Sequence, residues 1–150
     1  MTKPFINNFQ TAYSFSPRFH NEHDLCDWLS QNMRTFCRDV LLINYHSHAR
    51  EYQIDTTKSR GRIDFVIYST EKKVFFLECK NPNISHAVKI LQAAIGQVLT
   101  YQTLAENVGM PIEKCFLLTT QFDPIIDQVI SRNKLPITIV LANKTVRVLA

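Results

Sequence analysis

Asp64, Glu78 and Lys80 stand in two stretches that otherwise read as buried strand. The first is Gly61-Arg62-Ile63-Asp64-Phe65-Val66-Ile67-Tyr68. The second is Lys73-Val74-Phe75-Phe76-Leu77-Glu78-Cys79-Lys80. Both are rich in β-branched and aromatic residues. The polar segment Ser69 to Lys72 joins them as a hairpin. Centring that hairpin on Glu71 sets Asp64 opposite Glu78, Val66 opposite Phe76 and Tyr68 opposite Val74. Alternation then puts Arg62, Asp64, Val66 and Tyr68 on one face, and Val74, Phe76, Glu78 and Lys80 on one face of the next strand. Two opposed carboxylates repel, and partly buried charge is costly unless it is paired. Lys80 compensates one negative charge. A hard divalent cation compensates the other, because two carboxylate oxygens, a main-chain carbonyl and water suit Mg²⁺. The carbonyl of Cys79 is the main-chain candidate. Singly, charged residues at strand ends form solvated ion pairs. Three on one face of apolar strand call for another explanation.

The surrounding chain must hold these groups in place. Asn21 is placed to cap a helix from Glu22 to Cys37, whose Leu25, Trp28, Leu29, Met33 and Phe36 recur at helical spacing. Val40 to Tyr45 reads as a strand, with Glu51 to Ile54 extending or pairing with it. Thr56 to Arg60 reads as a polar, basic loop. Ser85 is placed to cap a long helix, His86 to Asn107, closed by Gly109 and Pro111. Lys114 to Thr120 reads as a strand and Asp123 to Asn133 as a helix. Pro136–Leu141 and Thr145–Leu149 form a closing hairpin that turns at Asn143-Lys144. The expected architecture is α/β, a mixed central sheet flanked by helices on both faces.

With 150 residues and 45% hydrophobic content, the chain is expected to be a single domain with a substantial core. Residues 1–20 form an irregular aromatic arm in this reading. No apolar run approaches the ~18 residues of a membrane span, and MTKPFINNFQTAYSF lacks the apolar region of a secretory signal. The expected location is cytoplasmic, with no membrane partner. A net charge of +4 permits a polyanionic partner. Cys26, Cys37, Cys79 and Cys115 form no CxxC pair and read as buried thiols of a reducing compartment, not as a zinc site. His46 and His48 share one side of a strand without a third ligand and read as polar edge residues.

Gly61-x-x-Asp64, thirteen residues, then Glu78-x-Lys80 resembles the PD-(D/E)XK nuclease superfamily, whose restriction-endonuclease-like core is an αβββαβ unit. Gln97-Val98-Leu99-Thr100-Tyr101 resembles the Gln-x-x-x-Tyr motif of nucleases similar to the RecB exonuclease domain. Gln97 and Tyr101 are four apart on the long helix and project from one side. Ile63 stands where the pattern's proline would precede Asp64. The match covers about Glu22 to Thr120. The resemblance also implies an acidic residue on the first helix. Glu22 continues the apolar stripe and is the candidate, while Asp24 and Asp27 fall off it; a plain helix-start role in the macrodipole is the other reading of Glu22. His23 is a lesser candidate.

The function implied is a metal-dependent nuclease that hydrolyses phosphodiester bonds in DNA, an endonuclease, using Mg²⁺ with Mn²⁺ as a substitute. Asp64, Glu78, the Cys79 carbonyl and Glu22 would hold the ion. Lys80 would orient or deprotonate the attacking water, and Gln97 and Tyr101 would position the phosphate or the lysine. Lys58, Arg60 and Arg62 are the candidate phosphate contacts; Lys72 and Lys73 read as solubilising. Two other functions fit the same residues: a catalytically weak or inactive nuclease-fold DNA-binding or assembly module, and a nuclease acting on RNA. A homodimer or higher symmetric oligomer is expected, through the Pro136–Leu149 hairpin or the N-terminal arm.

Overall fold

In a computed structural model, residues 2–4, 19–54, 62–142 and 146–149 are described. Lys58 and Arg60, most of the N-terminal arm and the Asn143-Lys144 turn lie outside them. The elements are β1 (Thr2–Pro4), α1 (Glu22–Gln31), α2 (Met33–Phe36), β2 (Tyr45–Gln53), β3 (Arg62–Ser69), β4 (Val74–Lys80), α3 (Ala87–Asn107), β5 (Lys114–Thr119), α4 (Pro124–Arg132), β6 (Ile137–Ala142) and β7 (Val146–Leu149). They build one mixed seven-stranded sheet in the order β1-β7-β6-β5-β4-β3-β2. β4, β5 and β6 run parallel at its centre, joined by α3 and α4. The outer pairs are antiparallel, including β1, which the irregular-arm reading did not foresee.

Each face of the sheet carries its own core. Leu25, Leu29, Met33 and Phe36 of α1 and α2 pack on Phe65, Ile67, Leu77 and Leu118. Leu91, Ala94, Val98 and Ala105 of α3 pack on Val66, Phe76, Leu117 and Ile139 from the other side. Each such leucine or phenylalanine, fully buried, contributes about 1.5–3 kcal/mol over its exposed state. Asn21 caps α1 by accepting from the Asp24 N–H at 2.8 Å, and Asp123 caps α4 by accepting from the Ile125 N–H at 3.0 Å. Gly109, at φ 82°, ends the turn after α3 in the backbone region that glycine enters without a Cβ clash.

Three local readings are corrected. Val40 to Tyr45 is not a strand: a wide helical turn runs over Cys37–Leu41 and stops at Leu42, at φ 57° and 82% exposed. Its apolar residues Val40, Leu41 and Ile43 bury against the sheet from a helix end, which a short apolar run does not distinguish from strand. The first helix breaks at Asn32, whose side chain donates to the Trp28 carbonyl at 2.7 Å. Ser85 does not cap α3. Residues Ile84–His86 form a 3₁₀ turn, and the cap position falls to His86 without a side-chain bond.

The hairpin register is as expected, with Val66 opposite Phe76 and Tyr68 opposite Val74. The shared face is not. Val66 and Tyr68 belong to the α3-side core, but so does Ile63, whereas Phe65 and Ile67 face α1. Alternation therefore switches at Asp64. It switches on the neighbouring strand too: Arg50 lies over the Phe65 ring, while Tyr52 packs on the α3 side. Between them Glu51 has φ 55°, a left-handed backbone within a strand. This paired kink turns Arg62 and Asp64 toward the hollow beside α1. Left-handed backbone costs a residue with a Cβ about 1–2 kcal/mol. Glu51→Gly is thus expected to be more stable than Glu51→Ala by about 1 kcal/mol in urea unfolding. Equal midpoints would count against strain at this position.

Candidate functional site

β3 and β4 separate at the level of Asp64 and Glu78. The ladder between them ends at Phe65 opposite Leu77, while β4 continues beside β5 as far as Lys80 opposite Thr119. Main-chain groups in the resulting split need partners. The Asp64 N–H donates to Glu78 Oε1 at 2.8 Å, and the Cys79 N–H donates to Asp64 Oδ2 at 2.8 Å. Each carboxylate therefore holds the backbone of the opposite strand. The Lys80 carbonyl accepts from the Thr120 N–H on the β5 side. Successive residues of a strand present their main-chain groups to opposite edges, so the Cys79 carbonyl faces the split.

Lys80 Nζ lies 3.8 Å from Glu78 Oε2 and 3.7 Å from Glu22 Oε1. The Glu78 side chain is 4% exposed, that of Lys80 16% and that of Glu22 44%. Glu22 is brought here by more than the helix-start preference. Asn81, just after β4, donates to the Phe19 carbonyl at 3.1 Å and accepts from Thr120 Oγ1 at 2.6 Å. That chain of bonds latches the approach to α1 onto the ends of β4 and β5. From the opposite face, Tyr101 sits on the buried stripe of α3 formed by Ala94, Val98 and Ala105. Burial raises its phenol, and the charges of Glu78, Lys80 and Asp64 all act on it. Gln97 lies at the margin of that stripe and is exposed. Arg62 lines the hollow with Glu22 and Asp64. His23 lines it too, at 3.2 Å from Asp27, and Asp27 pairs with Arg50 at 2.6 Å. His48 bonds Ser30 and Tyr45, and His46 bonds Ser47, as ordinary polar partners.

Sequence reasoning missed Glu51 and the pair Cys26–Cys79. Glu51 lines the hollow and its charge acts on Asp64. Nothing in its neighbours' types signals that. Cys26 of α1 and Cys79 of β4 lie beside Asp64, and ligand atoms of the three lie within 4.8 Å of one another. All four cysteines are buried and free, as expected.

Among the described residues, the electrostatics of the site are short of positive charge. Burial raises the Asp64 carboxyl above its usual range, against the Cys79 N–H and the Lys80 and Arg62 charges. Burial also raises Glu22, although Lys80 opposes it. Glu78 is pushed up to about 8, by burial first and then by Asp64. Hard carboxylate oxygens, a main-chain carbonyl in the same split and uncompensated negative charge form a donor set that suits Mg²⁺ or Mn²⁺.

The chain is structurally similar to a repair endonuclease from Pyrococcus abyssi, seen in a crystal structure, with a TM-score of 0.54 and 10% sequence identity. The similarity covers 86% of this chain and 50% of that one, so this chain spans about half the length of that enzyme. The fold is thus nuclease-like. No protein-family model and no curated protein matches the sequence. No helix among the described residues is long and apolar enough to cross a membrane.

The raised Glu78 has a consequence for stability. Unfolded, the group titrates at its ordinary 4.5; folded, at about 8. Between those values the folded protein holds a proton that the unfolded chain has released, so stability falls as pH rises. Metal-free protein is expected to lose up to about 1.4 kcal/mol per pH unit across that window. Urea titrations at a series of pH values read the slope, and Glu78→Gln should flatten it. A wild-type slope already flat would show that Glu78 titrates normally.

Proposed function

We propose that the chain is a metal-dependent nuclease that hydrolyses phosphodiester bonds in DNA as an endonuclease, within the PD-(D/E)XK superfamily and with a RecB-type Gln-x-x-x-Tyr helix. One observation carries this reading: Asp64, Glu78 and Lys80 gather at a strand split where each carboxylate accepts from a main-chain N–H of the opposite strand and the lysine lies beside Glu78. The nuclease-like fold supports it.

Asp64, Glu78 and the Cys79 carbonyl would hold Mg²⁺ or Mn²⁺, with Glu22 at the rim. When bound, the ion supplies Lewis-acid neutralisation of the scissile phosphate and a water of lowered pKa. The protein's own groups do the rest. Lys80, fixed between Glu78 and Glu22, orients the attacking water and stabilises charge developing on the phosphoryl oxygens. Tyr101 stays protonated, because burial and then the Glu78 charge raise its phenol, and so it donates a hydrogen bond toward the phosphate. Arg62, in the hollow, contacts the backbone of the nucleic acid, and Lys58 and Arg60 precede it in sequence. Gln97 positions the phosphate from the rim of α3. The whole chain acts as one domain in this reading. Two such chains, related by a two-fold axis, would place one site on each strand of a duplex.

The test is cleavage of plasmid, single-stranded DNA and matched RNA with Mg²⁺ or Mn²⁺. Asp64→Asn and Lys80→Ala are each expected to lower the rate by about 10²–10⁴-fold. Identical background from wild type and both variants would falsify the catalytic assignment, and preferential RNA cleavage would reassign the substrate. Light scattering is expected to show a dimer at assay concentration; a monomer under those conditions removes the symmetric arrangement.

A further inference from the structure

We propose that Cys26, Cys79 and Asp64 form a second metal site, for a thiophilic ion such as Zn²⁺ or Cd²⁺, sharing Asp64 with the hard-cation site. The three donors come from three elements, α1, β4 and β3, and their ligand atoms lie within 4.8 Å of one another. On a shared tetrahedral zinc, with sulfur at about 2.3 Å and oxygen at about 2.0–2.2 Å, donor atoms are separated by roughly 3.5–3.8 Å. Closing the set therefore takes about 1 Å of side-chain adjustment. The two thiols, one from the helix and one from the strand, are both buried and within 4.8 Å of each other.

The donor chemistry separates this site from its neighbour. Two sulfurs select zinc, cadmium or another thiophilic ion, whereas the oxygens of Glu78 and Glu22 suit Mg²⁺ or Mn²⁺. Three protein ligands leave a fourth position. It faces the hollow of about 190 Å³ that Cys26 and Asp64 both line, so solvent or an incoming anion completes the shell. Cys26 on α1 and Cys79 on β4 would then be joined through the ion, pinning the helix that carries Glu22 to the strand that carries Glu78 and Lys80. An ion held by the thiolates also draws on Asp64 and sets positive charge beside Glu78. It opposes a hard cation in the split. That inhibitory consequence rests on the proposed hydrolysis; the binding itself does not.

The probe is Cd²⁺, added to the full chain in buffer containing Mg²⁺ and followed by the ultraviolet absorbance of thiolate-to-cadmium charge transfer. Wild type is expected to saturate at one equivalent with the intensity of two thiolates. Cys26→Ser and Cys26→Ala should each weaken binding by at least ~100-fold, since changes outside the ligand shell alone cost 10–100-fold. Asp64→Asn should weaken it while leaving the band. Circular dichroism checks that each variant is folded. Absence of the band from wild type at one equivalent overturns the site, and so does an unchanged titration in a folded Cys26 variant. The band reads metal–sulfur bonding and not turnover. A chain that binds Cd²⁺ but cuts no nucleic acid therefore refutes the nuclease reading alone, and one that cuts DNA without giving the band refutes this site alone.

Discussion

The Asp64 N–H ends on the Glu78 carboxylate and the Cys79 N–H ends on the Asp64 carboxylate, and the site depends on that exchange between the two strands. The sheet creates the need for it. β4 must stay beside β5 through Lys80, while β3 stays beside β2, and the two neighbours part. A strand edge opened inside a domain leaves amides that require acceptors. Asp64 and Glu78 supply them, and in doing so each is fixed in position by the fold itself. A carboxylate that accepts a structural hydrogen bond with one oxygen keeps its other oxygen for a ligand. Rigidity and chemistry are thus carried by the same atoms, which is the condition for a preorganised site.

That arrangement leaves a charge imbalance. Burial acts first on Glu22, Asp64 and Glu78, raising all three, and each is raised further by a neighbouring carboxylate. Lys80 is the ammonium between two of them, and Arg62 lowers Asp64 only as a minor contribution. Protons on the carboxylates relieve the imbalance in the metal-free protein, and under the proposed function a cation would relieve it instead. The two are exclusive at the same oxygens, so the proposed metal occupancy would be linked to pH.

The layers explain how distant residues reach one small volume. α1 covers one face of the sheet and α3 the other, and the strand split lies at the carboxyl end of β4 between them. Ligand sites gather at such ends in parallel sheets because the loops and helix starts converge there. Glu22 arrives from one side, held by the Asn81 latch, and Tyr101 from the other, held by the buried stripe of α3. The kink at Glu51 and Asp64 belongs to the same geometry, since it turns Asp64 out of the α3-side core and into the hollow.

The β3–β4 register, the helix caps at Asn21 and Asp123, the long helix and the layered α/β architecture follow from the sequence, because each depends on local spacing or on apolar patterning that any reader of the chain can see. The grouping of Asp64, Glu78 and Lys80 follows as well, since a hairpin's register is set by its turn. The face that Asp64 points to does not follow. Alternation holds only while both strands stay regular, and the left-handed Glu51 breaks it through a neighbour that the hairpin alone does not contain. Nor does the meeting of Cys26 with Cys79, which belong to different layers and are joined only when the helix packs on the sheet. Local residue types decided which elements form and which charges oppose one another. Packing between layers decided which atoms share a site, because distance across a core is set by the whole fold and leaves no mark in spacing along the chain.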